Sequence, residues 1–141
     1  MLQYDFFDNP GFRPPDLFIE QITALYRSQG WWNGPDNPVL VLRIIRGSHC
    51  FLIAHEDQEI VGMGRAISDR TSDAYIQDFT VKKKYQGQGI GTSIIRLIIK
   101  RLRTDGVFWI GLIAEKSSHS FYEPIGFKPM INSIPMILSR P

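Results

Sequence analysis

The run from Tyr75 to Arg103, YIQDFTVKKKYQGQGIGTSIIRLIIKRLR, constrains this chain more than any other stretch. It sets a strand, a glycine-rich turn and a helix in unbroken succession. From Ala74 to Val81 the residues are β-branched or aromatic at a period of two. That spacing puts Tyr75, Gln77, Phe79 and Val81 on one face and Ile76, Asp78 and Thr80 on the other. From Thr92 onward the period lengthens. Ile94, Ile95, Ile98, Ile99 and Leu102 recur at helical spacing, with Arg96, Lys100, Arg101 and Arg103 opposite them. Gly106 follows as a helix-ending residue. Between strand and helix lies QGQGIG, Gln86 to Gly91.

Glycines at such a junction let backbone approach a ligand, and the free N–H groups and dipole of the helix start attract an anion. A phosphate is the natural guest. Spacing then separates the kinds of phosphate site. A P-loop, GxxxxGK[ST], is excluded because no lysine precedes Thr92. A dinucleotide fingerprint requires GxGxxG, whereas the order here is GxGxG. The pattern that fits is [QR]xxGxG, with Gln86, Gly89 and Gly91 in the fixed positions.

That pattern, with SFYEPIGF downstream at Ser120 to Phe127, resembles the GNAT superfamily of acyl-CoA-dependent N-acyltransferases. The likeness extends over nearly the whole chain. It implies an α+β fold, a mixed, mostly antiparallel central sheet flanked by helices, in a single domain over residues 1–141. It implies acetyl-CoA as acyl donor, with Gln86 and the backbone of Gly87, Gln88, Gly89, Ile90, Gly91 and Thr92 holding its pyrophosphate. The backbone of Phe79, Thr80 and Val81 is implied to pair with the pantetheine arm and to donate to the thioester oxygen. Tyr122, in the FYxxxGF pattern, is implied to protonate the departing thiolate. A phenol titrates near 10 and a thiol near 8.5, so the proton is available at neutral pH. The bland alternative for Tyr122 is a ring packed on the sheet.

Acyl transfer also needs a group near the acceptor amine. Asp78 lies on the strand leading to the turn and is expected to act as base or substrate ligand, with a purely structural carboxylate equally open. The run YIQDFTV resembles the matching strand of polyamine acetyltransferases, but Gln77 stands where they carry an acid. Glu115 stands where many family members have an asparagine. His119 is a weaker candidate base. The acceptor is expected against Tyr26, Trp31 and Trp32 and the segment from Met130 to Pro135. Two adjacent tryptophans do not easily share a core, so at least one lines a pocket or caps an edge.

The remaining elements follow from local signals. Leu2 to Phe7 reads as a strand. Pro15, Asp16 and Glu20 mark a helix start, with Leu17, Phe18, Ile22, Leu25 and Tyr26 as its stripe. Val39 to Arg46 is strand-like in composition but follows Asn37 and Pro38, a cap and first-turn pair; the family likeness favours a helix. His49 to His55 and Ile60 to Ser68 read as a hairpin, and Val107 to Ala114 as a strand buried on both faces. A helix from Ser117 is ended by Gly126. Phe127 to Met130 and Ile134 to Ser139 are expected to close the fold as paired strands.

Charge is nearly even, 16 basic against 14 acidic residues, which argues against nucleic acid as the main partner. The lone Cys50 excludes an internal disulfide, and its apolar setting suits a buried strand. No metal-ligand spacing occurs, since His49, Cys50 and His55 mix strand faces. With no signal peptide and no long apolar run, a cytoplasmic protein without membrane contact is expected. Exposed strand edges allow a homodimer. The expected function is N-acetyl transfer from acetyl-CoA to a small-molecule or protein amine by direct attack in a ternary complex. A non-catalytic acyl-CoA-binding or regulatory module of the same fold is the alternative.

Overall fold

A computed structural model describes residues Met1 to Pro141. Strands β1 (Leu2–Phe6), β2 (Cys50–Glu56), β3 (Glu59–Ser68), β4 (Asp73–Val81) and β5 (Trp109–Leu112) form one sheet in sequence order. Neighbours are antiparallel through β4, and β5 lies parallel to β4. A parallel pair demands a crossover, which α3 (Ile90–Thr104) supplies. Two further helices, α1 (Asp16–Ser28) and α2 (Pro38–Gly47), separate β1 from β2, and α4 (His119–Tyr122) follows β5. The mixed, mostly antiparallel sheet with flanking helices matches the expectation. No helix is long and apolar enough to cross a membrane.

Strand periodicity divides the core into two layers. On β2, Cys50, Leu52 and Ala54 pack with Ile90, Ile94, Ile95, Ile98 and Leu102 of α3. The alternate residues Phe51 and Ile53 pack with Ile19, Ile22 and Tyr26 of α1 and Val41 and Ile45 of α2. Each buried aliphatic side chain contributes about 1.5–3 kcal/mol, so both helical layers are held chiefly by these stripes. Cys50 is fully buried, and loss of solvent pushes its thiol up to about 12. It is a small core hydrophobe.

Local chemistry explains the helix boundaries. The Asn37 side chain accepts a hydrogen bond from the Val39 N–H at 3.0 Å, and Pro38 occupies the first turn. This cap turns the strand-like run into α2. Pro15 stands at the N-cap of α1, one position before the first turn. In the α1 stripe Ile19 replaces Leu17, which is exposed. Side-chain hydrogen bonds fasten the far end of α3: Arg101 donates to Asp8 at 2.9 Å and to Asp105 at 2.8 Å, and His49 Nε2 meets Asp105 at 2.8 Å.

Three sequence expectations fail, each for a physical reason. β4 does not alternate throughout, because Gly64 of β3 opposes both Asp78 and Phe79 in a bulge. Asp78 takes φ 53° there, and beyond it Phe79 and Val81 join Ile76 on the α3 side. The fifth strand is shorter and wetter than expected: Phe108 is 72% exposed and Ile113 60%, since β5 is an edge with no outer neighbour. The closing strand pair is absent. Residues 128–141 contain no strand and make no backbone hydrogen bond, with Asn132 at φ 56° and Pro135 interrupting the run.

The fit of α3 on β3 depends on bare backbone. A Cβ on Gly62 would meet Ile94 Cδ1 at 3.0 Å and the Thr80 carbonyl at 3.1 Å. Gly62→Val is therefore expected to lower unfolding free energy by about 1–3 kcal/mol in urea titrations, the cost of overpacking a core; an unchanged midpoint would contradict this packing.

Candidate active site

β4 pairs with β5 only from Asp73 to Ile76, while its other edge pairs with β3 as far as Val81. The strands part after Ile76 and Leu112, so the backbone from Gln77 to Val81 has one edge with no strand against it. A cavity of about 260 Å³ opens in that gap, with Trp31, Gln77, Asp78, Phe79, Glu115 and Tyr122 in its wall. A second cavity, about 520 Å³, lies at the far end of β4 between Thr80, Val81, Lys82, Gln86 and α1.

The glycine turn begins where β4 ends. Gly87 and Gly89 adopt φ 79° and 84°, and Gly89 is the N-cap of α3. In that left-handed geometry the N–H groups from Gly87 through Thr92 find no acceptor in the protein. They form a donor cradle at the positive end of a 15-residue helix. Gln86 closes its base by donating Nε2–H to the Val81 carbonyl at 3.0 Å. Gly91 serves differently. A Cβ there would lie 3.0 Å from Phe79 Cζ and 3.2 Å from Phe121 Cζ, so its bareness admits two stacked rings. The lysines around the turn are partly neutralised: Lys82 and Lys84 lie 3.6 and 3.2 Å from Glu59. Tyr85 donates to the same carboxylate at 2.9 Å, which pins the turn to β3.

Tyr122 projects from α4 into the first cavity. Its ring meets Phe79, Phe121 and Phe127 edge-on, and only 9% of the residue is exposed. The hydroxyl makes no hydrogen bond to protein, yet no buried polar side-chain atom is left unpaired, so the oxygen opens on the cavity. Burial, and secondarily the Glu115 carboxylate, hold this phenol above its ordinary range. Glu115 carries no ion pair and lines the same cavity. His119 is exposed and lines neither cavity.

Asp78 is already engaged. The bulge turns its carboxylate toward α1, where Oδ2 accepts from Tyr26 Oη at 2.7 Å and from Arg65 Nε at 2.6 Å. Burial, and then the neighbouring carboxylate, push the Tyr26 phenol well above the usual range. Of the three expected acceptor residues, Trp31 alone lines the cavity. Tyr26 is 2% exposed behind it, and Trp32 stacks on Tyr26 with ring centroids 4.1 Å apart. Arg27 holds the tryptophan loop, donating to Asp36 and to the Gly34 carbonyl. The segment from Met130 to Pro135 lines neither cavity. Arg65 and Phe121 were not foreseen. The signal for Arg65 was a lone cation inside the apolar strand IVGMGRAIS.

Comparison with known proteins gives a consistent picture. The model of the acetyltransferase (GNAT) family matches residues 13–127. A histone acetyltransferase of Glycine max, TAP1, is 32% identical over 123 residues, covering 80% of this chain and 53% of that protein. The chain thus spans about half the length of that relative. A probable acetyltransferase from Staphylococcus aureus has a TM-score of 0.78 at 24% identity, covering 99% of this chain and all of the other. A predicted acetyltransferase of Clostridium acetobutylicum, solved with acetyl-CoA, has a TM-score of 0.71 at 16% identity, covering 97% of this chain and 96% of the other.

The Asp78 pair generates a stability prediction. Both partners are at most one-fifth exposed, so Arg65→Leu strands a largely buried carboxylate and is expected to cost about 3 kcal/mol in denaturant titration. Adding Asp78→Leu is expected to recover part of the loss. A cost below about 1 kcal/mol, as for an exposed pair, would contradict this.

Proposed function

The chain belongs to the GNAT family of acetyltransferases, and from that premise we propose that it moves an acetyl group from acetyl-CoA to an amine by direct attack in a ternary complex. The observation that carries this reading is one continuous path. Unsatisfied N–H groups from Gly87 to Thr92 lead to the unpaired edge of β4, and that edge leads to the Tyr122 hydroxyl. The cradle suits a pyrophosphate, the free strand edge suits an amide-bearing arm, and the cavity suits a reacting thioester. The acetyl-CoA bound to the Clostridium acetobutylicum neighbour supports the same choice of donor.

Each residue then has a chemical task. The backbone of Phe79, Thr80 and Val81 fixes the donor through the groups on its free edge, and one N–H there faces the carbonyl oxygen as charge develops on it. The amine nitrogen bonds to the carbonyl carbon, the carbon–sulfur bond breaks, and Tyr122 gives its proton to sulfur. The ammonium must shed two protons, one before it attacks and one as the carbon–sulfur bond breaks, and the second restores the Tyr122 phenol. Asp78 is held by Arg65 and Tyr26, so its task is to fix Tyr26, and through it the Trp31 and Trp32 rings, rather than to act as base. Glu115, the cavity carboxylate without a cation, is left to take the first of the two protons.

The acceptor is a cationic amine. Glu115, with no cation beside it, gives the cavity its negative charge, and the Trp31 face attracts an ammonium group. Acetylation of an amine-bearing small molecule or a lysine side chain both meet this description.

Tyr122→Phe is expected to lower kcat by about 10²–10⁴-fold with KM for acetyl-CoA unchanged, measured by thiol release. Retention of full kcat would remove Tyr122 from the reaction, and binding without turnover in the wild type would mark a non-catalytic module. The pH profile supplies a second test. Tyr122 acts protonated, and its raised pKa shifts loss of the proton to higher pH. Any alkaline fall in kcat due to this residue is therefore expected only above about pH 10 and absent from Tyr122→Phe.

A further inference from the structure

β5 carries a glycine at its centre, where a strand ordinarily gains from a side chain. Gly111 is not among the glycines with positive φ, so the backbone does not require it. Its bareness supplies room instead. A Cβ there would lie 2.8 Å from Trp109 Cη2, 2.9 Å from Trp109 Cζ3 and 3.3 Å from Tyr75 Cε1. The Trp109 indole therefore lies along its own strand over Gly111, edge-on to Tyr75 with ring centroids 5.2 Å apart. A bare glycine inside a strand marks a place of close approach. Here the approaching group is an aromatic ring that stays open to solvent, since Trp109 is 40% and Tyr75 44% exposed.

These rings continue the wall of the catalytic cavity. Tyr75 and Gly111 are register partners, on the sheet face turned away from the α3 layer that holds Ile76. Tyr75 itself lines the 260 Å³ cavity, as do Ile113 and, from the tryptophan loop, Trp31. Two exposed rings in contact at a cavity mouth exceed the scattered apolar exposure of an ordinary surface. No charged residue occurs from Val107 to Ala114. Within the cavity Asp78 is held by Arg65 and Tyr26, which leaves Glu115 as the carboxylate without a cation. The wall thus offers a place for one ammonium group and, beyond it, an uncharged aromatic shelf. One strand repeat, about 7 Å, separates Gly111 from Ile113. A link of two or three carbons between nitrogen and ring suits that span.

We propose that the acceptor is an amine bearing a flat aromatic ring, its ammonium group at Glu115 and its ring on the shelf of Tyr75 and Trp109. Those two residues then determine acceptor specificity. The inference rests on the proposed transfer reaction in taking the cavity as the site of the amine. A flat ring meets tryptophan and tyrosine edge-on or offset, and gains more than its buried area alone. The methylene chain of a lysine gains only the area. A second ammonium group meets no second free carboxylate in the cavity, so diamines are matched poorly as well.

Calorimetric titration of phenethylamine and of Nα-acetyl-lysine amide, with and without CoA, reads binding where no acetyl group can transfer. Wild type is expected to bind phenethylamine about 10-fold more tightly than the lysine derivative. Trp109→Ala removes one ring of the shelf, and Gly111→Val pushes the indole off its seat. Each is expected to weaken phenethylamine about 10-fold and to leave the lysine derivative unchanged. Trp109 lies outside both core clusters, so its variant alone carries the test if the valine variant folds poorly. Equal affinity for the two amines, no binding of phenethylamine, or binding indifferent to Trp109→Ala would each overturn the proposal. So would equal binding of 2-cyclohexylethylamine, which matches phenethylamine in bulk and charge but has no flat ring. Thiol release from acetyl-CoA separates the two readings. A ring preference in binding without turnover contradicts the transfer reaction and leaves the shelf standing, whereas equal kcat/KM for both amines does the reverse.

Discussion

The site depends on β4 being shared unequally by its two neighbours. β3 follows it to Val81, but β5 leaves it after Ile76, and the bulge opposite Gly64 bends the strand at the point of departure. A fully paired β4 would spend its backbone groups on a ladder and leave no cavity. Because the strands part, one edge of β4 stays available and the gap is deep enough for Tyr122 to enter from α4. The bulge also places Gln77 and Asp78, neighbours in sequence, in the wall of one cavity. A regular strand would send them to opposite faces.

That geometry needs rigid support on both sides. α3 supplies one, with its isoleucine stripe against β2 and the bare backbone of Gly62 and Gly64. Its N-terminus is thereby fixed at the end of β4, so the donor cradle stays aimed at the free edge. The other support is polar and aromatic. Arg65, Asp78 and Tyr26 lock β3, β4 and α1 together, and Trp31 and Trp32 pack on the locked ring. The glycines of QGQGIG divide the labour: Gly87 and Gly89 supply backbone conformation, and Gly91 supplies room for Phe79 and Phe121.

Much of this was legible in the residues. The glycine spacing located the cradle, the change of period located β4 and α3, and Asn37 with Pro38 marked α2 against its composition. What escaped notice is non-local. A bulge changes which face a side chain meets, yet nothing in YIQDFTV announces it, because it arises from the pairing with Gly64. The engagement of Asp78 required Arg65 from another strand and Tyr26 from a helix 52 positions away. The apolar run 107–114 read as a strand buried on both faces, and 134–139 as a closing strand, because apolar patterning reports affinity for a core without reporting whether a neighbour is there to provide one.

The central claim is that the N–H groups from Gly87 to Thr92 hold the phosphates of acetyl-CoA. Calorimetric titration of acetyl-CoA into wild type, Gly89→Glu and Gly89→Asn tests it most directly. A Cβ at Gly89 meets nothing within 4 Å, and asparagine, which tolerates the left-handed backbone at φ 84° better than most residues, separates the effect of charge from that of backbone strain. The account predicts binding by wild type, retention of binding by the asparagine variant and its loss when glutamate sets an anion in the cradle. Equal binding by all three, or no binding by wild type, would contradict it.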